Sequence, residues 1–323
     1  MKKELVVVNP ALEEKHRVLI RRAAEKHGYS VRFFAEAKSA LPALREVEIV
    51  FGQSALLARN SPELRWLCSP SAGTDQFSKE MFASPDARLS NSSGAYGVTI
   101  SEHVIMTALE MLRRQPEYSR IVENREWRRD LAVRSLFGSR ITLLGTGDIG
   151  RETAARLRSF RPAVLTGVNR SGKNPAGLFD RILSPRELAD VLPETDLLII
   201  SLPATAETEK MIAAAGLALL PDGALIINVG RGSVIEQQAL EKELRAGRLF
   251  AALDVFEKEP LPKEDSLWTC PNLLITPHVA GNMTLPYTKD RIVDLFLEDF
   301  ENYCAGKPLL RQVFPPSGTS SGS

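Results

Sequence analysis

The sequence predicts an α/β fold of doubly wound parallel sheets, and three observations carry that expectation. The first is the stretch Ile141-Thr142-Leu143-Leu144-Gly145-Thr146-Gly147-Asp148-Ile149-Gly150. An apolar run of buried-strand length breaks into G-x-G-x-x-G and then into a helical pattern carrying Ala154, Ala155 and Leu157. The second is a repeated alternation of short β-rich runs with helical patterns on both sides of that stretch. The third is length: 323 residues suffice for two domains, each with its own core. Between a strand and a helix, Gly145 permits the tight turn, Gly147 lets backbone approach a pyrophosphate, and Gly150 allows close helix-to-strand packing. An ordinary strand-turn-helix corner has the same local form, so the rest of the chain must decide.

The N-terminal part sets the rhythm. Leu5 to Val8 reads as a strand, Glu13 to Lys26 as an amphipathic helix closed by Gly28, and Val31 to Phe34 as a second strand. Val47 to Phe51, Leu64 to Cys68 and Arg88 to Ser90 read as further strands. The turn Ser69-Pro70-Ser71-Ala72-Gly73-Thr74-Asp75 follows one of them, where backbone N–H groups can hold an anion. A structural turn is the equal local alternative. Thr99 and Glu102 have capping-box spacing ahead of an apolar stripe of Val104, Ile105, Ala108, Leu109 and Leu112, which predicts a long helix and a boundary near Thr99. His103 lies within it, a position that more often serves packing or surface than chemistry. From Arg113 to Arg140 the chain is polar with scattered Tyr118, Trp127 and Phe137, a connecting arm suited to packing on a partner subunit. After the glycine turn, strands are expected at Val164 to Val168, Leu197 to Ser201, Ala224 to Val229, Phe250 to Val255 and Leu273 to Thr276.

Composition bounds the function. Hydrophobic residues make up 44%, charged residues 25%, and the net charge is +1, a balance that favours neither nucleic acid nor an acidic membrane surface. The basic patch of Arg125, Arg128 and Arg129 reads as a solvated face. Cys68, Cys270 and Cys304 lie far apart, which argues against a disulfide framework or a zinc site and suits a reducing compartment. The apolar run at the N-terminus stops at Val8 and does not have the form of a signal peptide, and no later stretch has the apolar length of a membrane span, so a cytoplasmic protein is expected. Residues 317–323 are low-complexity and expected to form a flexible tail.

Two regions choose the chemistry. About twenty residues past the glycines, where an NAD site offers a carboxylate, stands Asn169, followed by Arg170, Ser171 and Lys173. A carboxylate repels a 2′-phosphate and a guanidinium binds it bidentately, so NADP(H) is preferred and NAD(H) remains possible. Three later strands end in ionisable residues: Asn228-Val229-Gly230-Arg231, Asp254 with Glu259-Pro260, and Thr276-Pro277-His278. Singly each has a bland account. Jointly, an arginine, an acid and a histidine beyond the carboxyl ends of neighbouring strands make a possible anion clamp and proton donor. No Cys or Ser sits in a nucleophile elbow, so covalent catalysis has no candidate.

With these residues in place the chain resembles the D-isomer-specific 2-hydroxyacid dehydrogenases, the group that includes glyoxylate/hydroxypyruvate reductases. Beyond GTGDIG, the likeness rests on Ser201-Leu202-Pro203 with Thr208, NVGRG around Arg231, ALDVFEKEP ending in Glu259-Pro260, and Leu267-Trp268 followed by PNLLITPH to His278. It includes Ser71 to Asp75 and Gly94-Ala95-Tyr96-Gly97 with Ile100 to His103, and so spans nearly the whole chain. The resemblance implies two Rossmann-like domains, with a substrate domain discontinuous in sequence: residues 1–101 and 283–323 around a dinucleotide-binding domain at 102–282, with hinges near 100–102 and 281–283.

It further implies the site. His278 would give a proton to the ketone oxygen, Glu259 would hold the other imidazole nitrogen, and Arg231 would bind the substrate carboxylate with the amides near Ala72 and Gly73. Gly145 to Gly150, Asn169 to Ser171, Lys173, Leu202, Pro203, Thr208, Val229, Gly230, Arg231, His278 and Gly281 would line the cofactor, and Asp254 would lie near the nicotinamide. The expected protein is a 2-oxo acid reductase giving D-2-hydroxy acids, with no metal, and a homodimer through the nucleotide domain. The alternative from another class is an NAD(P)-binding sensor of corepressor type with incidental activity. Tyr96, Met283 and Pro286 are candidates for shaping the substrate pocket and, equally, for packing.

Overall fold

A computed structural model describes residues 3–314; the tail expected at 317–323 lies outside them. Along the chain come β1 (Glu4–Val8), α1 (Glu14–Lys26), β2 (Ser30–Phe34), α2 (Ala37–Ala40), β3 (Ile49–Gly52), α3 (Ala55–Arg59), β4 (Trp66–Cys68) and β5 (Arg88–Ser90). Next are α4 (Gly97–Leu112), α5 (Gln115–Glu123), β6 (Arg140–Leu144), α6 (Asp148–Arg158), β7 (Val164–Val168), β8 (Arg181–Leu183), α7 (Leu188–Val191) and β9 (Leu197–Ile200). Then follow α8 (Ala214–Leu219), β10 (Leu225–Asn228), α9 (Gln237–Arg245), β11 (Phe250–Leu253), β12 (Leu273–Ile275), α10 (Pro286–Cys304) and β13 (Gln312–Phe314).

Two compact units result: the chain to Tyr96 with the segment from Met283 onward, and Gly97–Asn282. In the first, the sheet order is β13-β5-β4-β3-β1-β2, parallel except for β13, which runs antiparallel to β5. The C-terminal helix belongs to this core. Phe296 of α10 stacks on Phe51 of β3, ring centroids 4.4 Å apart, and on Trp66 of β4 at 5.4 Å. Phe51, Trp66 and Phe296 are all buried, so α10 covers apolar surface that the N-terminal elements cannot hide alone.

The second unit holds a seven-stranded parallel sheet of order β12-β11-β10-β9-β6-β7-β8. Its strands are continuous apolar runs because helices cover both faces: β9 and β10 are buried at every residue. Strand order reverses between β6 and β9, and the glycine turn leaves β6 at that switch point, where open parallel sheets bind ligands. Hence the residues after β6, β7, β9, β10, β11 and β12 all emerge on one edge.

Details differ from the expectations. Helix α4 starts at Gly97, ahead of the Thr99 capping box, because the Asp148 carboxylate accepts the Gly97 N–H at 2.8 Å and starts the helix from outside its own sequence. The polar arm contains α5, and β8 and β13 have three residues each, too few to show a period. No helix among the described residues is long and apolar enough to cross a membrane.

Candidate active site at the strand ends of the second unit

The glycine turn is built as its spacing requires. Gly145 has φ +98°, and a Cβ on Gly150 would stand 2.1 Å from the Gly145 carbonyl oxygen, so α6 packs on the turn backbone to backbone. A Cβ on Gly147 would meet nothing within 4 Å. The protein itself therefore does not need a glycine there, and the open space fits a ligand that must come close. The N-cap residue of α6 is Gly147, which has no side chain to cap the helix, and a helix N-terminus is where an anion is favoured. Asp148 would oppose a phosphate, but one carboxylate oxygen is turned to the Gly97 amide. These features fit a dinucleotide pyrophosphate.

At the end of β7, Asn169 is a loop organiser. Its amide nitrogen donates to Thr146 Oγ1 at 2.7 Å and to the Lys173 carbonyl at 3.0 Å, and its Oδ1 accepts the Gly172 N–H at 2.7 Å and the Ser171 hydroxyl at 3.2 Å. The residue thus ties the second strand's loop to the glycine turn. Arg170, Ser171 and Lys173 are exposed around it. Sequence reasoning missed Glu207: its carboxyl is held below the usual range first by a Thr205 hydrogen bond and, among weaker causes, by the charge of Arg170. Nothing local could have signalled that neighbour, which lies on the loop after another strand. On that loop the Thr208 hydroxyl donates to the Pro203 carbonyl at 2.6 Å and accepts the Thr205 N–H at 2.9 Å, closing the segment that begins with Leu202 and Pro203.

The later strand ends interlock. A Cβ on Gly232 would lie 1.8 Å from the Phe256 carbonyl carbon, so the segments after β10 and β11 touch through backbone, and only glycine fits between them. A Cβ on Gly230 would likewise stand 2.5 Å from the Leu202 carbonyl oxygen. Asn228 shapes the turn carrying Arg231: its Oδ1 accepts the Gly230 N–H at 3.0 Å and its Nδ2 donates to the Arg231 carbonyl at 2.9 Å. Arg231 Nη1 donates to the Gly230 carbonyl at 2.8 Å. Val229 is buried, and its N–H donates to the Ile200 carbonyl at 3.0 Å.

After β11 and β12 the acid and the histidine meet. Glu259 Oε2 lies 2.6 Å from His278 Nδ1, while Oε1 accepts the Phe256 N–H at 2.9 Å. The carboxylate is thereby pinned to its own loop and fixes the imidazole from one side. The His278 side chain is 52% exposed, and no described residue hydrogen-bonds its Nε2. Asp254, expected at the nicotinamide, is buried with both oxygens engaged: Oδ1 accepts the Thr276 hydroxyl at 2.6 Å and the Val279 N–H at 2.9 Å, and Oδ2 accepts the Ala280 N–H at 3.0 Å. Gly281 follows this grip directly.

In the first unit, the turn bearing Ala72 and Gly73 is held from β5 onward. Asn91 Nδ2 donates to the Ala72 carbonyl at 2.7 Å, and the Ser92 N–H donates to the Ser71 carbonyl at 3.0 Å. Tyr96 is a buried brace, its hydroxyl donating to the Pro70 carbonyl at 2.7 Å. Pro286 opens α10. Among the described residues no cluster of His, Cys, Asp or Glu could hold a metal ion.

A parallel sheet of Rossmann order with a pyrophosphate-fitting turn at its switch point, and a carboxylate-backed histidine four strands away, defines a dinucleotide-dependent oxidoreductase. Comparison with known proteins narrows the class. The NAD binding domain profile of the D-isomer specific 2-hydroxyacid dehydrogenases matches residues 105–280. Glyoxylate/hydroxypyruvate reductase B of Klebsiella pneumoniae is 31% identical over 255 residues, covering 77% of this chain and 76% of that protein. A D-isomer specific 2-hydroxyacid dehydrogenase family protein from Aeromonas salmonicida superposes with a TM-score of 0.85 at 30% identity, over 97% of this chain and 99% of that one. The NADPH-dependent glyoxylate/hydroxypyruvate reductase of Sinorhizobium meliloti, in complex with NADP and sulfate, superposes at 0.81 with 26% identity, over 97% and 98% of the two chains. The chain belongs to the D-isomer specific 2-hydroxyacid dehydrogenase family. The sensor alternative is not favoured, since these relatives are named as reductases and dehydrogenases.

Proposed function

We propose that the protein reduces a small 2-oxo acid to the D-2-hydroxy acid with NADPH, and runs the reverse reaction. The observation that carries this reading is the Glu259–His278 contact of 2.6 Å, which leaves Nε2 of an exposed imidazole open at the carboxyl edge of the sheet. When bound, the reduced nicotinamide supplies hydride to the ketone carbon. His278 delivers the accompanying proton from Nε2 to the ketone oxygen, and Glu259 holds Nδ1–H so that ring orientation and proton position are set before reaction. Arg231 offers a guanidinium to the substrate carboxylate, with one nitrogen steadied by the Gly230 carbonyl. The substrate role of Ala72 and Gly73 rests on the family likeness. Asn169 and exposed Arg170 and Lys173 support a preference for NADP(H) with NAD(H) possible, a preference that the Sinorhizobium relative's NADP complex parallels. The exposed arm residues Trp127 and Phe137 support a homodimer, and the two buried free thiols, Cys68 and Cys270, suit the reducing cytoplasm.

The test is His278→Gln. Loss of the proton donor lowers NADPH oxidation with glyoxylate or hydroxypyruvate by about 10²–10⁴-fold, while NADPH still quenches or enhances intrinsic fluorescence as in the wild type. A variant that turns over at wild-type rate overturns the assignment.

A further inference from the structure

His278 has φ +53°, the left-handed region that a side chain other than glycine holds only when its surroundings impose it. The imposition is visible. The His278 N–H donates to the Asp254 carbonyl at 2.9 Å, and the next two amides, Val279 and Ala280, donate to the two Asp254 carboxylate oxygens. Thr276, two residues before His278, donates its hydroxyl to Asp254 Oδ1 at 2.6 Å. That hydrogen is committed, because a carboxylate only accepts, so Thr276 Oγ1 can only accept from its other neighbour. The neighbour is His103 of α4, whose Nε2 lies 3.3 Å from Thr276 Oγ1 and 4.0 Å from Asp254 Oδ1. The network therefore requires the His103 tautomer with hydrogen on Nε2. Burial lowers the His103 pKa from its usual value, against the opposing charges of Asp254 and Glu110, which favours the neutral ring; the geometry itself asks only for the Nε2–H.

We infer that His103 is a positioning residue for the reaction proposed above: its Nε2–H aims the Thr276 hydroxyl at Asp254, and Asp254 in turn holds the left-handed turn that presents His278. The inference rests on that functional reading, and its test separates the two. Wild type, His103→Leu, His103→Asn and His103→Gln are compared for NADPH-dependent reduction of glyoxylate and hydroxypyruvate, for NADPH affinity by fluorescence titration, and for hydrogen exchange at the Val279 and Ala280 amides. The Leu and Asn variants, lacking a donor that reaches Thr276, lose about tenfold in kcat with NADPH affinity changed less than about twofold, and exchange at both amides accelerates. The Gln variant, whose Nε2–H can reach, recovers both to within about threefold. Thr276→Val shows the same loss, and adding His103→Leu to it costs no more, since the two residues act through one bond. Wild-type kcat and exchange in His103→Leu and His103→Asn overturn the inference, as does a Gln variant impaired as much as Leu. If the wild type reduces no 2-oxo acid, the functional reading fails, and the exchange comparison still decides the network.

Discussion

At the scale of the residue, the site is a set of side chains whose polar atoms are mostly spoken for. Asn169 spends its amide on Thr146 and on its own loop, so in the function proposed above the contact to a 2′-phosphate falls to its neighbour. Arg170 is exposed, and its charge is among the weaker causes that lower the Glu207 carboxyl. A 2′-phosphate offers Arg170 two charged oxygens, a better partner than one solvated carboxylate. Arg170→Ala therefore weakens NADPH binding by about tenfold or more while leaving NADH binding within about twofold; paired titrations of both cofactors check this, and equal losses would remove Arg170 from the discrimination. The acid-histidine pair was legible in the sequence because each member closes a strand at a recognisable offset. Asp254's grip on the histidine turn was not, because its partners are backbone amides some twenty-five positions away, and neither was the hydrogen bond between His103 and Thr276, 173 positions apart.

At the scale of the element, the glycine turn separates what the fold needs from what a ligand needs. Gly150 has no room for a methyl group and Gly147 has open space. Gly150→Ala should accordingly destabilise the unit by about 1–3 kcal/mol through overpacking, with a lowered urea midpoint. Gly147→Ala should leave that midpoint nearly unchanged and weaken NADPH binding, since the added methyl stands where the pyrophosphate must approach. A Gly147→Ala variant with full affinity would place the pyrophosphate elsewhere. The strands of the second sheet were readable as unbroken apolar runs because they are buried on both faces. Helix α5 escaped notice because only Ile121 of its nine residues is buried, which leaves almost no period to detect. Strand β13 pairs with β5, more than 220 positions earlier, and no local pattern announces such a partner.

At the scale of the whole molecule, the arm after α4 is the surface least explained by a single chain. Trp127 is 96% exposed, Val122 70% and Phe137 63%, and large aromatic side chains in water are what subunit contacts use. Sedimentation velocity should find the wild type at twice the chain mass. Trp127→Asp, which replaces an apolar anchor by a charge, should shift it toward the monomer with the far-ultraviolet circular dichroism intact; an unaltered sedimentation coefficient would locate the dimer contact on another face.

The bond from Asp148 to the Gly97 amide has a consequence for how the sequence can change. A Cβ at position 97 would stand 2.7 Å from both Asp148 carboxylate oxygens, so substitutions at positions 97 and 148 are not independent. Gly97→Ala requires the Asp148 carboxylate to shift from the Gly97 amide, whereas Asp148 can be lost first without steric penalty. The two substitutions are thus coupled: the start of α4 accepts a side chain without moving the Asp148 carboxylate only once the aspartate in the glycine turn has been replaced by a smaller residue.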